Sequence, residues 1–156
     1  MTEQGSWSAG RIDEIVAEHA HLEGALLPIL HAVQAEFGYI PRDAIPLIAH
    51  ALNLTRAEVY GVVTFYHDFR ERPAGRRLVK LCRAEACQSM GAAAIAAKVL
   101  KHFGMDWSGT STDGAVTIEP VYCLGLCSVA PAALIDGHPH GKLSAADLIA
   151  MAGHGK

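Results

Sequence analysis

The chain has 156 residues, of which 51% are apolar, 19% charged and 6% aromatic, and a net charge of −3. That length suits one domain or two small ones sharing an interface, and the composition can bury a core and excludes a disordered chain. Slight acidity gives no reason to expect nucleic acid or an anionic membrane as partner, no apolar run approaches the roughly 20 residues of a spanning helix, and so few aromatics argue against a base-stacking surface.

Taken in order, the N-terminal "MTEQGSWSAGRIDEIV" lacks the basic region and apolar core of a signal peptide, so a cytoplasmic protein without direct membrane insertion is expected. "RIDEIVAEHAHL" predicts a helix with Ile12, Ile15, Val16 and His19 on one face. "ALLPILHAVQAEFG" repeats Leu22, Leu26, Leu30, Val33 and Phe37 at helical spacing and stops at Gly38. "YIPR" is a turn. "DAIPLIAHALN" starts a third helix, and Pro46 fits if that helix begins at Asp43, because the first amides have no intrahelical partner. Thr55 and Glu58 form a capping box that opens "AEVYGVVTFYHDF". Four short amphipathic helices read as a small bundle.

The pattern changes near "ERPAGRR" (71–77). "RRLVKLC" predicts a strand ending at Cys82, and "QSMGAAAIAAKVLKHFG" an Ala-rich helix ending at Gly104. "GAVTIEPVYC" predicts a strand ending at Cys123, and "AALIDGHPHGK" a strand and turn leading to another. Ser144 caps a final helix, "AADLIAMAGH". Strand, helix, strand, strand, helix predicts a small mixed sheet with helices on its faces. The fold class expected is therefore α+β, with domains at 1–74 and 75–156. No repeat or low-complexity tract interrupts it. Residues 1–75 hold 5 basic and 10 acidic groups, whereas residues 76–156 hold 8 and 6. The positive excess of the second half would offset an anionic metal–thiolate centre, and a solvated surface explains it equally.

All four cysteines fall in that second half, as C-x4-C (Cys82, Cys87) and C-x3-C (Cys123, Cys127). Disulfides, a redox dithiol, zinc and an iron–sulfur cluster are the candidate uses. The C-x-x-C of a thioredoxin-type dithiol is missing. Zinc sites favour C-x2-C but accept wider spacings, and disulfides are uncommon in the cytosol. A [2Fe–2S] cluster needs four thiolates, two to each iron, and a four-residue spacing occurs among such clusters. Spacing favours the cluster and leaves zinc and disulfides open.

The surroundings point the same way. Each pair begins at a predicted strand end, so two adjacent parallel strands would present both pairs at one edge of the sheet. Cys87 at a helix start would meet free amides that favour a thiolate. Gly125 can take positive φ and let the loop fold around a metal. Leu81, Met90, Leu124, Leu126 and Val129 would supply an apolar surround.

With these residues the chain resembles the thioredoxin-like [2Fe–2S] subunits of NADH-linked dehydrogenases, the 24 kDa subunit of respiratory complex I and the gamma subunit of NAD-dependent molybdenum formate dehydrogenase. The likeness lies in "LLPILHAVQAEFGYIPRDAIPLIAHALNLTRAEVYGVVTFYHDF", "CRAEACQSMGA", "STDGAVTIEPVYCLGLCSVAPAALIDG" and the closing helix. "CRAEACQSMG" and "PVYCLGLC" look more like the formate dehydrogenase subunit. The resemblance implies an N-terminal four-helix bundle followed by a thioredoxin-like [2Fe–2S] ferredoxin domain. It implies one [2Fe–2S] cluster per chain on Cys82, Cys87, Cys123 and Cys127.

The implied role is electron transfer beside the flavin subunit of an NAD-dependent formate dehydrogenase, with the complex I subunit as the alternative. The implied partners are a flavin/NAD-binding beta-type subunit and a molybdenum-containing alpha-type subunit. FMN, further iron–sulfur clusters and the molybdenum cofactor would sit on those partners only. No nucleotide-binding or nucleophile motif stands in the chain, so no catalytic residue and no turnover alone are expected. A zinc-stapled interaction module and a free-standing ferredoxin are the competing classes, although a carrier has no need of the helical half. Residues 11–70 are accordingly expected to hold the subunit on its neighbours.

Other features read plainly. The nine histidines are scattered, with His19 and His31 read as packing or surface groups. "HPHGK" could bind a metal but reads better as a hairpin turn carried by Pro139 and Gly141. "GVVTFYHDF" offers an apolar, aromatic-bearing face for burial or for a partner.

Overall fold

Ser8 opens the first helix, its hydroxyl accepting the Arg11 amide at 3.3 Å, which serves one of the amides a helix N-terminus leaves without a partner. The structure, a computed structural model, describes residues 7–153. The part of the leader expectation that falls on residues 1–6 and the last residue of "AADLIAMAGH", His154, lie outside them. The chain divides into two compact units, Met1–Pro73 and Ala74–Lys156.

The first unit holds four helices: α1 (Ala9–His19), α2 (Leu26–Phe37), α3 (Ala44–Ala51) and α4 (Arg56–Phe65). Ile12, Ile15 and Val16 of α1 are buried with Ile29, Leu30, Val33 and Phe37 of α2, Ile45 and Ile48 of α3, and Val59 and Val63 of α4. Each such side chain contributes about 1.5–3 kcal/mol by leaving water. The predicted α2 stripe needs one correction. Leu22 lies in the turn before α2 and is 40% exposed, while Ile29 is buried in its place. The Leu22 spacing is regular only because a turn of suitable length precedes the helix. His19 is half-buried, with Nδ1 donating to the Ile15 carbonyl at 2.8 Å.

α4 starts at the predicted box: the Glu58 amide donates to Thr55 Oγ1 at 3.2 Å and the Thr55 amide to Glu58 Oε2 at 2.8 Å. Pro46 stands at the third position of α3, where its missing N–H costs nothing. The aromatic end of α4 divides: Val59 and Val63 are buried, whereas Phe65 is 73% exposed. A clamp unforeseen in the sequence ties the segment after α4 to α2. The Gln34 side chain donates to the Asp68 carbonyl at 2.7 Å and accepts the Arg70 amide at 2.7 Å.

The second unit contains β1 (Arg77–Cys82), α5 (Glu85–Ser89), α6 (Ala92–Phe103), β2 (Gly109–Thr110), β3 (Val116–Val121), β4 (Ala133–Ile135), β5 (His138–His140) and α7 (Ala145–Gly153). The strands form one sheet in the order β2-β3-β1-β4-β5. β1 and β3 run parallel with Cys82 opposite Val121, and the other pairings are antiparallel. Val79, Leu81, Val116, Ile118 and Ile135 of the sheet share a core with Ala96 and Val99 of α6 and Leu148 of α7. Buried Thr117 is satisfied, its hydroxyl 2.7 Å from that of Thr110 and accepting the Gly75 amide at 2.7 Å. The whole is α+β, a helical bundle followed by a five-stranded mixed sheet with helices.

Three predicted elements change. The Ala-rich helix is two helices, because Gly91 takes φ +88 and breaks the run after Met90. β3 stops at Val121, two residues before Cys123, and the short β2 pairs with it unpredicted. "HPH" is the edge strand β5 rather than the turn; the chain reverses at Asp136 and Gly137, both at positive φ. A proline is acceptable there because an edge strand has one row of amides without partners. Ser144 caps α7 as expected, accepting the Asp147 amide at 3.2 Å. Ala130–Pro131 is cis. Among the described residues no helix is long and apolar enough to cross a membrane.

Candidate metal centre

The parallel register of β1 and β3 decides where the cysteines go. Cys82 is the last residue of β1, and its partner Val121 ends β3 two residues before Cys123. The Cys82 and Cys123 loops therefore leave the sheet at the same end, the carboxyl end of two parallel strands, where open sheets place their sites. None of the four thiols is in a disulfide; Cys82 and Cys87 are buried, and Cys123 and Cys127 are exposed. The buried pair shares a small cluster with Ala92, Ala130 and Ala132, flanked by Leu124 and Leu126. Of the expected apolar surround, Leu124 and Leu126 are in place. Leu81 belongs to the sheet core instead, and Met90 is 61% exposed. Met90 sits where the helix breaks, so its side chain leaves the site.

The sulfurs interact most strongly within each sequence pair, and Cys127 also interacts with Cys82 and Cys87 across the pairs. Cys82 hydrogen-bonds Cys87, and Cys127 hydrogen-bonds Cys123. Burial pushes the Cys82 thiol up, but the amides of Ala84, Cys123 and Leu124 all donate to its sulfur and the bond with Cys87 adds to them. The result lies below the ordinary thiol value. Cys87 moves the other way: burial raises it, the Ala132 amide opposes, and the charges of Cys82 and Cys127 raise it further. Cys127 is raised chiefly by the charge of Cys123, then by their hydrogen bond, burial and Cys82. These mutual influences place all four sulfurs within one electrostatic neighbourhood.

The expectation that a helix start would favour the Cys87 thiolate is corrected. Cys87 does stand in the first turn of α5, as its third residue, but burial raises its thiol, and the amide of Ala84, just before that helix, serves Cys82. Gly125 does take positive φ, at +73°, and its amide donates to Cys123 Sγ at 3.4 Å. Cys123 itself adopts φ +92°, a left-handed backbone that costs a non-glycine residue about 1–3 kcal/mol. In that conformation its own amide and that of Leu124 both reach Cys82. These amide donors are invisible in the sequence, because a backbone N–H carries no mark of residue type. The one available signal is the strand–Cys–turn succession.

Four thiols are a donor set of the size that a zinc site or a two-iron cluster each requires. Among the described residues no three His, Cys, Asp or Glu side chains gather around a single point as ligands of one ion. A closed zinc site requires four donors on one atom, whereas a two-iron cluster takes its thiolates two by two. Free sulfurs hydrogen-bonded in pairs, with amides directed at them, fit the second demand.

Comparison with known proteins gives the same direction. The family model described as "Thioredoxin-like [2Fe-2S] ferredoxin" matches residues 12–154. A NADH-quinone oxidoreductase subunit of Escherichia coli is 33% identical over 147 residues, covering 92% of this chain and 89% of that protein. The corresponding NADH-quinone oxidoreductase subunit of Mycobacterium tuberculosis is 37% identical over 123 residues, 79% of this chain, and this chain spans about half of its length (49%). Among solved structures, a chain of an NAD+-reducing [NiFe]-hydrogenase superposes with a TM-score of 0.67 at 26% identity, covering 80% of this chain and 21% of that one. With a family match over nearly its whole length, the chain belongs to the thioredoxin-like [2Fe–2S] ferredoxin family.

Proposed function

We propose that this member of the thioredoxin-like [2Fe–2S] ferredoxin family is an electron-transfer subunit of a flavin-dependent, NAD-linked oxidoreductase, with Cys82, Cys87, Cys123 and Cys127 as the ligands of one [2Fe–2S] cluster. The carrying observation is the set of four free thiols, paired as Cys82–Cys87 and Cys123–Cys127, at the carboxyl end of the parallel strands β1 and β3. A [2Fe–2S] cluster bound there supplies reversible one-electron chemistry at a potential set by hydrogen bonds to sulfur and by exposure. The chain's own residues hold and tune it. Ala84, Cys123 and Leu124 direct amides at Cys82, Ala132 directs one at Cys87, and Gly125 directs one at Cys123. Exposure of Cys123 and Cys127 keeps one side of the site open to a partner.

In this reading residues 1–74 form a docking domain and residues 75–156 the cluster domain. The protein anaerobically purified should contain about two irons per chain and become paramagnetic only when reduced. Stoichiometric zinc with no visible absorption would remove the proposal.

The host is proposed to be a cytoplasmic NAD-dependent formate dehydrogenase, in which this chain takes no part in substrate chemistry. Its neighbours there would be a flavin subunit carrying FMN and further iron–sulfur clusters, and a subunit carrying the molybdenum cofactor. Support comes from the resemblance in "CRAEACQSMG" and "PVYCLGLC". A second reading, the corresponding subunit of respiratory complex I, is favoured by relatives named as NADH-quinone oxidoreductase subunits. A pull-down of the tagged chain separates them. Formate-dependent NAD reduction with molybdenum and FMN in the sample supports the first, and quinone-linked NADH oxidation with membrane subunits and no molybdenum supports the second.

A further inference from the structure

We infer, resting on the ligand assignment proposed above, that Gly141 is a positioning residue for Cys127: the missing side chain lets the turn after β5 close onto Val129 and hold the second cysteine loop. Two backbone hydrogen bonds join turn and loop. The Lys142 amide donates to the Val129 carbonyl at 2.6 Å, and the Leu143 amide to the Pro131 carbonyl at 3.1 Å. A β-carbon placed on Gly141 would stand 2.5 Å from Val129 Cγ2, 2.7 Å from Val129 Cβ and 2.7 Å from the Val129 carbonyl oxygen. Carbon atoms in favourable contact lie about 3.5–4.0 Å apart, so all three approaches are collisions. Rotation about χ1 could move Cγ2 aside, at the expense of a stiff β-branched rotamer. It moves neither Cβ nor the carbonyl oxygen.

Conformation is not the reason for this glycine. Among the described residues seven glycines take positive φ, and Gly141 is not one of them. Space is therefore what position 141 supplies, and the three atoms nearest to it all belong to Val129.

Val129 is two residues from Cys127 in a 3-10 turn, Cys127–Val129. The turn is closed tightly: the Val129 amide donates to the Leu126 carbonyl at 3.0 Å, and the Ala130 amide to the Cys127 carbonyl at 3.3 Å. Such a turn has three residues and no slack, so a displacement of Val129 reaches Cys127. The support behind Gly141 is equally firm. β5 pairs with β4, and β4 pairs with β1, the strand that ends at Cys82. Through Gly141 the hairpin that braces one cysteine pair also seats the other.

The test uses the full chain, purified anaerobically, with iron content, circular dichroism, the resonance of the reduced protein and its midpoint potential as readouts. Gly141→Ala should keep the wild-type iron content and secondary structure while shifting both the resonance positions and the potential. The double variant V129G/G141A, which removes two of the three colliding atoms, should bring both back toward wild type. Gly137→Ala is the control: it strains the same hairpin at φ +81°, but its β-carbon meets nothing within 4 Å. It should lower stability and leave resonance and potential in place. A G141A protein spectroscopically identical to wild type overturns the inference, as does a shift that V129G/G141A does not relieve. If G141A alone fails to fold, the rescue carries the test: V129G/G141A should fold with the resonance and potential of V129G, and a double variant that still fails to fold, or that differs from V129G, overturns the inference. A Cys127→Ser variant that kept the native signal would instead overturn the ligand assignment itself, and this inference with it.

Discussion

The two units solve different problems with similar local chemistry. In Met1–Pro73 the buried side chains are apolar, and order comes from helix caps and from one glutamine clamp, Gln34. In Ala74–Lys156 a sheet core does the same work, but the end of β1 departs from it. There two thiols are buried beside small alanines and polar amides point at sulfur. The core of the first unit is built mainly from isoleucine, leucine and valine, with Ala25, Ala44 and Ala49 among them. A unit proposed to hold a metal group must leave room and supply donors, and in the second unit the buried thiols lie beside Ala92, Ala130 and Ala132, with Leu124 and Leu126 at their flank.

The largest expected effect breaks the comparison at the site. Cys82→Ser or Cys87→Ser should abolish or severely weaken the two-iron signal, checked by iron content and visible absorption, while the helical unit keeps its ellipticity. Next comes removal of residues 1–70. The shortened chain should retain the cluster spectrum and no longer co-purify with its complex. Retained assembly would show that the bundle is not the docking domain.

A core cut sharpens the same contrast. Leu30 is fully buried in the helical unit, and Leu30→Ala should cost about 2–5 kcal/mol in a urea titration followed by circular dichroism. The resonance of the reduced cluster should not move below the transition. A shifted resonance would mean that the two units are not separable in this way.

Smaller effects fall on the caps, where the units are alike. Thr55→Ala in the first and Ser144→Ala in the second should each cost about 1 kcal/mol. The smallest effect is on pH. Hydrogen bonds from the Thr55 amide and hydroxyl hold the Glu58 carboxyl below its usual value, and the Ser144 hydroxyl and amide do the same for Asp147. A carboxyl whose folded value is depressed stabilises the protein above its unfolded value, roughly pH 4, and loses that contribution as the pH falls through the folded value. Glu58→Gln and Asp147→Asn should therefore flatten the acid limb of a stability–pH curve measured between about pH 5 and 2, each a little. An unchanged limb would show that the caps do not titrate with folding.

Much is legible in the sequence because it is local. Apolar spacing of three and four residues is enough to place Ile12, Leu30 and Val33 on buried helix faces, since a helix repeats every 3.6 residues whatever surrounds it. Thr55 with Glu58 and Ser144 ahead of α7 announce helix starts for the same reason. The four cysteines can be picked out by type and spacing, because thiols in two tight pairs have few uses.

What only the tertiary structure decided involves partners far apart in sequence or groups without residue identity. Nothing local distinguishes buried Cys82 and Cys87 from exposed Cys123 and Cys127; that depends on which strand is central and which loop lies outside. β3 ends at Val121 because its pairing with β1 ends at Cys82, a register set by a strand distant in the chain. The amides of Ala84, Leu124 and Ala132 that meet sulfur belong to residues whose side chains say nothing about it. The space at Gly141 matters only because Val129, on an earlier turn, comes back to fill it. Propensity and spacing act along the chain, whereas register, burial and backbone donors are properties of the closed sheet.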